Sequence, residues 1–257
     1  DGALRTVRRG ESGFDGWVVS LGALGVVSAA TLDLVPAYDM TQTVYDGLPW
    51  SAGLEHLREI MGSAYSVSLF TRWRGEGFEQ VWVKQRIGDE RGVPIRSFGA
   101  RVADGPRHPV PGASAVHCTE QGGVPGPWFE RLPHFRLGFT PSSGDELQTE
   151  YLVGLADGAA ALEAVDRLRE RIAPVLQIGE IRTVAADDLW LSPCTGRDTL
   201  AIHFTWIADP TAGQPAGKFA SSDFQSLYDS LLAGATSSTL ALAAGVTVEN
   251  ADIADLK

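Results

Sequence analysis

The sequence predicts an α+β fold in which one large antiparallel sheet is covered by helices. Several segments alternate apolar and polar side chains with the period of two that is typical of half-buried strands. Two other segments repeat apolar residues with the spacing of three and four that is typical of amphipathic helices. Strands with two covering helices indicate an α+β domain built on one sheet.

The predicted strands run through most of the chain after Pro36. They cover residues 37–45, 65–73, 78–86, 135–139, 146–153, 177–184 and 199–207. The second and third runs are separated by Arg74-Gly75-Glu76-Gly77, which favours a β-hairpin. At the N-terminus, residues 1–7 read as a strand, and residues 14–34 as a strand, a turn and a second strand that end at Pro36.

Each predicted helix is defined by an apolar stripe. The first stripe consists of Leu54, Leu57, Ile60 and Met61. The second stripe extends from Ala161 to Ile172, after Asp157, which can cap the first turn, and before Pro174, which ends the helix. Charged residues between these positions form a solvated helix face.

Composition excludes several classes of partner. The 257 residues carry a formal net charge of −11, which argues against binding to nucleic acid or to an anionic membrane. The only cysteines, Cys118 and Cys194, are too few for a disulfide scaffold, so two free thiols are expected. No apolar run reaches the ~18 residues of a membrane span and no signal-peptide pattern is present, so we expect a cytoplasmic protein.

Residues 87–133 are rich in Gly and Pro and show little periodicity. Such a long irregular segment is typically functional or disordered. His108, His117, Cys118 and Glu120 are metal-ligand residue types, but their spacing matches no zinc template, so no metal site is predicted.

The candidate site lies on the last two predicted strands. Glu180 and Arg182 share one face of their strand, and His203 and Thr205 share one face of the next. If the strands pair, a carboxylate, a guanidinium, an imidazole and a hydroxyl meet on one sheet face, where they need each other or a polar ligand. The alternative is an ordinary salt bridge on a solvated face.

The same strands carry a family resemblance. Residues 180–187, 190–193 and 203–206 read Glu-Ile-Arg-Thr-Val-Ala-Ala-Asp, Trp-Leu-Ser-Pro and His-Phe-Thr-Trp. These strings resemble the substrate-binding half of alditol (xylitol) oxidases, flavoenzymes of the vanillyl-alcohol oxidase superfamily that are akin to sugar-lactone oxidases. The resemblance covers roughly residues 1–209. It implies a vanillyl-alcohol oxidase-type substrate domain over residues 37–209, in which residues 87–133 would form an ordered loop wrapped over the sheet.

The resemblance also implies roles. Glu180 and Arg182 would bind polyol hydroxyls beside the flavin, with Arg182 and Glu180 as the catalytic pair, and Thr205 and His203 would shape the pocket. Residues 1–36 resemble the end of an FAD-binding domain, in which Gly22, Gly25 and Val26, together with Arg182, would face the cofactor. Glycines at these two positions also permit a positive-φ turn.

Two parts of the family pattern are not matched. The pyrophosphate loop and the covalently bonded histidine belong upstream of residue 1, so an upstream FAD-binding domain is expected as a partner. A His-Trp-Gly-Lys string should follow Trp206, and Lys218 in Pro-Ala-Gly-Lys-Phe is a doubtful substitute for its lysine. The chain therefore reads as a fragment, and without FAD we expect it to be colourless and inactive.

The C-terminal residues have a third composition. After a linker at 210–221, residues 222–257 carry two short apolar stripes, which predict a helical tail with a second helix around Leu240 and Leu242. This segment resembles the start of a ferritin-like domain of the DUF2202 type, with Glu249 as the nearest candidate for a di-iron carboxylate. An orphan helical hairpin without metal is the alternative.

The expected function is the substrate-binding part of an FAD-dependent oxidase that acts on the primary alcohol of a sugar alcohol and reduces O2 to H2O2. A sugar-lactone (D-arabinono-1,4-lactone) oxidase is the alternative within this class. A non-catalytic binding module is the alternative from a different class. Flavin absorbance of the purified chain would separate the enzyme from the binding module.

Overall fold

A computed structural model describes most of the chain. It covers residues 2–20, 22–89, 94–141 and 146–209, and beyond them 214–215, 229 and 241–243. In this described part, nine strands form one antiparallel sheet, which confirms the predicted fold class. Within the same residues, no helix is long and apolar enough to cross a membrane.

The sheet is built from long central strands and short outer ones. Its strands are β1 (Asp39–Pro49), β2 (Ser66–Thr71), β3 (Gly77–Arg86), β4 (Arg101–Val102), β5 (Gly126–Pro127), β6 (Leu147–Gly154), β7 (Leu176–Val184), β8 (Thr199–Trp206) and β11 (Ala241–Ala243). Their order is β11-β6-β8-β7-β2-β3-β1-β4, and β5 also pairs with β1. β9 (Ala208–Asp209) and β10 (Gln214–Pro215) form a separate two-stranded pair.

Helices cover one face of the sheet and bury the main core. They are α2 (Trp50–Glu55), α3 (Leu57–Met61), α4 (Gly158–Asp166) and α5 (Arg169–Ile172). Both predicted apolar stripes lie in this layer, although each helix is interrupted after about two turns. The sheet side of the core contains Leu69, Ile181, Ile202, Phe204 and Trp206, which are all fully buried or nearly so. The predicted alternation along β8 is therefore confirmed.

The opposite face is partly covered by residues 103–139. Short 3₁₀ turns interrupt this segment at Ala115–His117 and Trp128–Glu130, whereas the earlier turn, Ile95–Phe98, packs in the main core on the helix side. Cys118 and Phe135 pack against Phe70 and Trp82 of the sheet in a second, smaller core. The described part of the irregular segment is therefore an ordered covering loop, as expected.

The N-terminal segment differs from the prediction. Instead of strands, residues 2–38 contain one short helix, α1 (Phe14–Val18), followed by backbone without regular structure. A strand needs a neighbour for its backbone hydrogen bonds, and the described residues place none beside this segment. α1 instead packs on Trp190, so closely that a Cβ on Gly16 would lie 2.8 Å from its ring.

Three smaller predictions are also wrong. Residues 135–139 form only an isolated bridge, Phe135 to Cys118, because Phe135 packs on the face of the sheet instead of pairing at its edge and Leu137 is exposed. Asp157 precedes α4 without a side-chain cap, since a 3₁₀ turn, Leu155–Asp157, leads into the helix. Ala241–Ala243 form a strand on the edge of β6, which offers unpaired backbone groups, instead of the expected second tail helix. The rest of the tail lies outside the described residues, except Asp229, which is helical.

Candidate functional site

The candidate residues lie on the face of the sheet opposite the helices. β7 and β8 are antiparallel neighbours, and Glu180 lies directly opposite His203. Thr205 lies opposite Ile178, two residues before Glu180, so it shares this face. Arg182 takes the same face by the period of two. The predicted juxtaposition of the two strands is therefore confirmed.

Glu180 is the buried member of the group. Its side chain is 10% exposed, and Oε1 lies 3.1 Å from Nε2 of His134, a residue of the covering loop. Oε2 lies 3.7 Å from Nη1 of Arg182. These contacts exclude the alternative of an ordinary ion pair on a solvated face, because one partner has little access to water.

Arg182 lies between two carboxylates. Its Nη2 donates to Glu150 Oε1 at 2.6 Å, and Nε approaches the same oxygen at 3.2 Å. Glu150 is on β6, opposite His203 of β8, so β6, β7 and β8 all contribute to the cluster. The guanidinium side chain nevertheless remains 42% exposed. It is therefore held by two carboxylates and still accessible to a ligand.

The pKa values show that this cluster is charged at neutral pH. Burial acts to raise the pKa of Glu180, but hydrogen bonds from His134 and Ser68 and the nearby positive charge of Arg182 outweigh it and lower the pKa to about 2. Burial acts to lower the pKa of Arg182, and the two carboxylates, Glu180 and Glu150, raise it above its ordinary value. A carboxylate and a guanidinium therefore face the ligand space together.

A buried lysine extends the cluster onto β3. The Lys84 side chain is almost fully buried, and Nζ donates to the backbone oxygen of Leu132 at 2.6 Å. Nζ also lies 2.9 Å from Nδ1 of His134. Burial lowers the pKa of Lys84 to about 8, with Glu180 opposing the shift and Arg182 adding to it. Burial and the charge of Lys84 likewise lower the pKa of His134.

A polar pocket of about 260 Å³ opens beside these groups. It is smaller than a typical drug-sized ligand site of roughly 300–1,000 Å³ and suits a small polar molecule. Its lining residues are Met61, Tyr65, Ser66, Val67, Ser68, Lys84, Leu132, Pro133, His134, Glu180, Arg182 and Thr183. Hydroxyls, a carboxylate and two cations thus surround a single space.

His203 and Thr205 lie on the same face but are not among the residues that line this pocket. His203 Nε2 is 3.4 Å from Gln148 Oε1, and burial lowers the pKa of the imidazole. Thr205 is half-buried and lies opposite Gln148 on β6. Their contribution to a ligand site stays a prediction.

The N-terminal candidates lie away from the pocket lining. Gly22 and Gly25 have φ of 74° and 142°, so the predicted positive-φ backbone is present, and Val26 is 96% exposed. A Cβ on either glycine would have no neighbour within 4 Å among the described residues. Cofactor binding there stays a prediction. Lys218 and Glu249 lie outside the described residues.

Three members of the cluster, Lys84, Glu150 and His134, were not predicted from the sequence. Lys84 carries a detectable signal, because it is a charged residue with the same parity as Gln80 and Trp82 of β3. Glu150 has a similar position on β6. His134 has no such signal, since it lies in an irregular loop that only the tertiary structure brings to β7.

Comparisons with known proteins match this chain in two regions. An alditol oxidase from Streptomyces sp. (strain IKD472 / FERM P-14339) is 54% identical over 215 residues, which is 84% of this chain and 51% of that protein. The chain thus spans about half the length of this relative. A family model described as an uncharacterized protein domain (DUF2202) matches residues 200–257, so this match begins within β8. Over the 215 aligned residues, most of this chain is therefore similar to about half of an alditol oxidase, which supports the resemblance to that family.

Proposed function

We propose that this chain is the substrate-binding part of a flavin-dependent oxidase. The enzyme would convert the primary alcohol of a sugar alcohol such as xylitol or sorbitol to an aldehyde and reduce O2 to hydrogen peroxide. The relative named alditol oxidase supports the class of reaction. The observation that carries the proposal is the anionic Glu180, held in the pocket wall beside the accessible guanidinium of Arg182.

These two side chains suit a polyol. A polyol presents a row of hydroxyls, each able to donate one hydrogen bond and to accept others. Glu180 can only accept and Arg182 can only donate, so together they fix the direction of hydrogen bonds along the ligand. The small, polar volume of the pocket favours such a molecule over an apolar one.

During oxidation, Arg182 would hold the reacting hydroxyl and stabilise the negative charge that develops on its oxygen. Glu180 would bind a neighbouring hydroxyl and orient the guanidinium. His203 and Thr205 would shape the adjoining surface. When bound, a flavin would supply the hydride acceptor, with O2 as the final oxidant.

The residues present fit a flavin in their donor set. Arg182 is 42% exposed at the pocket and can donate to an electron-rich ring. Gly22 and Gly25 combine positive φ with open space, so their backbone is accessible to a ligand. Arg182, Gly22, Gly25 and Val26 are therefore the residues that we propose for the cofactor.

Polyol binding is tested by titrating xylitol into the purified chain and following the NMR signal of the Arg182 Nε–H group. We expect this signal to shift with saturation, and Arg182→Met to weaken binding by about tenfold or more, the scale of a lost charged hydrogen bond. The matched control is Arg58→Met, which removes an exposed cation on α3. Equal affinity in both variants would contradict the assignment.

The choice of substrate is tested in parallel with a sugar lactone. Tighter binding of the lactone than of xylitol would favour the sugar-lactone alternative. The oxidation is measured as xylitol-dependent peroxide formation by a protein that joins this chain to a flavin domain and is loaded with FAD. Peroxide formation that survives Arg182→Met would exclude the proposed role of the guanidinium.

A further inference from the structure

The buried Lys84 and the loop residue His134 form a hydrogen-bonded chain that ends on Glu180. Lys84 Nζ lies 2.9 Å from His134 Nδ1, and His134 Nε2 lies 3.1 Å from Glu180 Oε1. The three residues come from β3, the covering loop and β7, so no local sequence constraint brings them together. All three line the same pocket.

The chemistry of these groups fixes the direction of the chain. An ammonium group has only donors, so Nδ1 of His134 must accept from Lys84. A neutral His134 then carries its hydrogen on Nε2, and this N–H points at the carboxylate of Glu180. Every hydrogen bond therefore runs from the lysine toward Glu180.

Neighbouring groups hold both ends of this hydrogen-bonded chain in place. The backbone oxygen of Leu132 accepts a second hydrogen bond from Lys84, which anchors the ammonium at the end of the chain that is far from Glu180. Glu180 receives His134 on one oxygen and faces Arg182 with the other. The carboxylate thus has little freedom to rotate between the two donors.

We propose that Lys84 and His134 are positioning residues that hold Glu180 in the orientation needed to accept a hydrogen bond from a polyol hydroxyl. This inference rests on the proposed function of Glu180. Lys84 acts through His134 and not on the ligand. The hydrogen-bonded chain holds the acceptor Glu180 rigidly in the pocket wall. In binding sites, residues that touch the ligand are commonly oriented in this way by hydrogen bonds from residues behind them.

The surroundings of Lys84 determine the pH range in which the hydrogen-bonded chain is complete. The titratable groups that face it are His134 from the covering loop and Glu180 and Arg182 from β7, while its register partners Gln42 and Ser66 are uncharged. Because burial lowers the pKa of Lys84 to about 8, the lysine is mainly an ammonium at pH 7 and increasingly neutral above pH 8. A neutral amine no longer has to donate to Nδ1, so above pH 8 only Glu180, which accepts, still fixes the hydrogen on Nε2 of His134.

The direct test is the tautomer of His134, observed through the ¹⁵N shifts of its ring in the labelled chain. At about pH 7 we expect a protonated Nε2 and an unprotonated Nδ1. Lys84→Met should let Nδ1 of His134 take up a proton at a higher pH than in the wild type, because the donor to Nδ1 and its opposing charge are both lost, and Lys84→Arg should restore the wild-type pattern because it supplies a charged donor again. A wild-type His134 that carries its hydrogen on Nδ1, or on both nitrogens, would overturn the proposal.

The functional test is xylitol affinity in the same variants. We expect Lys84→Met to weaken binding by about five- to tenfold, the equivalent of one net hydrogen bond, and Lys84→Arg to recover most of the loss. Unchanged affinity in Lys84→Met would refute the positioning role. If Lys84→Met does not fold, His134→Gln, which keeps a donor toward Glu180, should retain affinity, whereas His134→Leu should lose it.

The two proposals fail in different ways. If the wild-type chain binds no polyol, the proposed function is wrong, and the tautomer experiment still decides whether Lys84 orients His134. If xylitol binds through Arg182 but Lys84→Met changes neither the protonation of His134 nor the affinity, the function stands and the positioning chain is wrong.

Discussion

Removing the charge of Glu180 should change how the stability of the chain depends on pH. The pKa of Glu180 is lowered from 4.5 to about 2 in the folded chain. A depressed carboxyl pKa stabilises the folded state fully above about pH 4.5, and this stabilisation disappears as the pH falls toward 2. The full contribution at pH 7 is about 3 kcal/mol by linkage, an order-of-magnitude figure for a side chain that is 10% exposed.

Most of this loss falls within an accessible pH range. With the same two pKa values, linkage predicts that about 2 kcal/mol is lost between pH 7 and pH 3. Glu180→Gln keeps the shape of the side chain and an acceptor for His134, but it cannot titrate. The difference in unfolding free energy between the wild type and this variant should therefore shrink by about 2 kcal/mol over this range.

The measurement is urea unfolding at pH 7, 4 and 3, followed by tryptophan fluorescence, with equal m-values required for the comparison. Glu163→Gln is the matched control, since it removes a carboxylate from the exposed side of α4 and changes the net charge equally. A wild-type-to-Glu180→Gln difference that stays constant from pH 7 to pH 3 would refute the assignment of a strongly depressed carboxyl pKa.

Three further outcomes follow from the packing. Gly77→Ala should destabilise the β1–β3 pair by about 1–3 kcal/mol, because the new Cβ would lie 2.2 Å from the backbone oxygen of Leu48, whereas Gly75→Ala has open space; urea unfolding of both variants separates them. Trp206→Ala should cost about 3–5 kcal/mol, because a fully buried ring that stacks on the core is lost; a change under 1 kcal/mol would contradict the described core. Both buried thiols should react with a thiol reagent only after unfolding, since burial also raises the pKa of Cys118 to about 11; rapid reaction of the native chain would show that a thiol is accessible.

The sequence alone was sufficient to locate the long central strands and to pair the two site strands. Alternation along 177–184 and 199–207 predicted two strands with polar groups on one face, and the structure confirms them with Glu180 opposite His203. The prediction succeeded because a side-chain period of two and a buried apolar face constrain the register of a strand strongly. The family resemblance, supported by the alditol oxidase relative, identified the same strands.

The N-terminal segment shows where local pattern fails. Residues 14–34 have strand-like composition, yet they form a short helix and irregular backbone with exposed apolar side chains. β-propensity describes fit to a pleated, half-buried surface, so it has no effect where no neighbouring strand is present. Residues 135–139 of the covering loop also read as a strand, but Phe135 packs on the face of the sheet while Leu137, two residues later, is fully exposed, so the burial expected of a strand is absent.

That a carboxylate and a guanidinium share a sheet face could be predicted from the sequence, because Glu180 and Arg182 are two residues apart on one strand. The contacts that hold them depend on the tertiary structure. Lys84 and His134 are 50 residues apart in sequence, and His134 and Glu180 are 46 apart, with no periodic relation between them. Their hydrogen bonds exist because the covering loop folds back over β2, β3 and β7, and the path of an irregular loop is determined by long-range packing that no local pattern encodes.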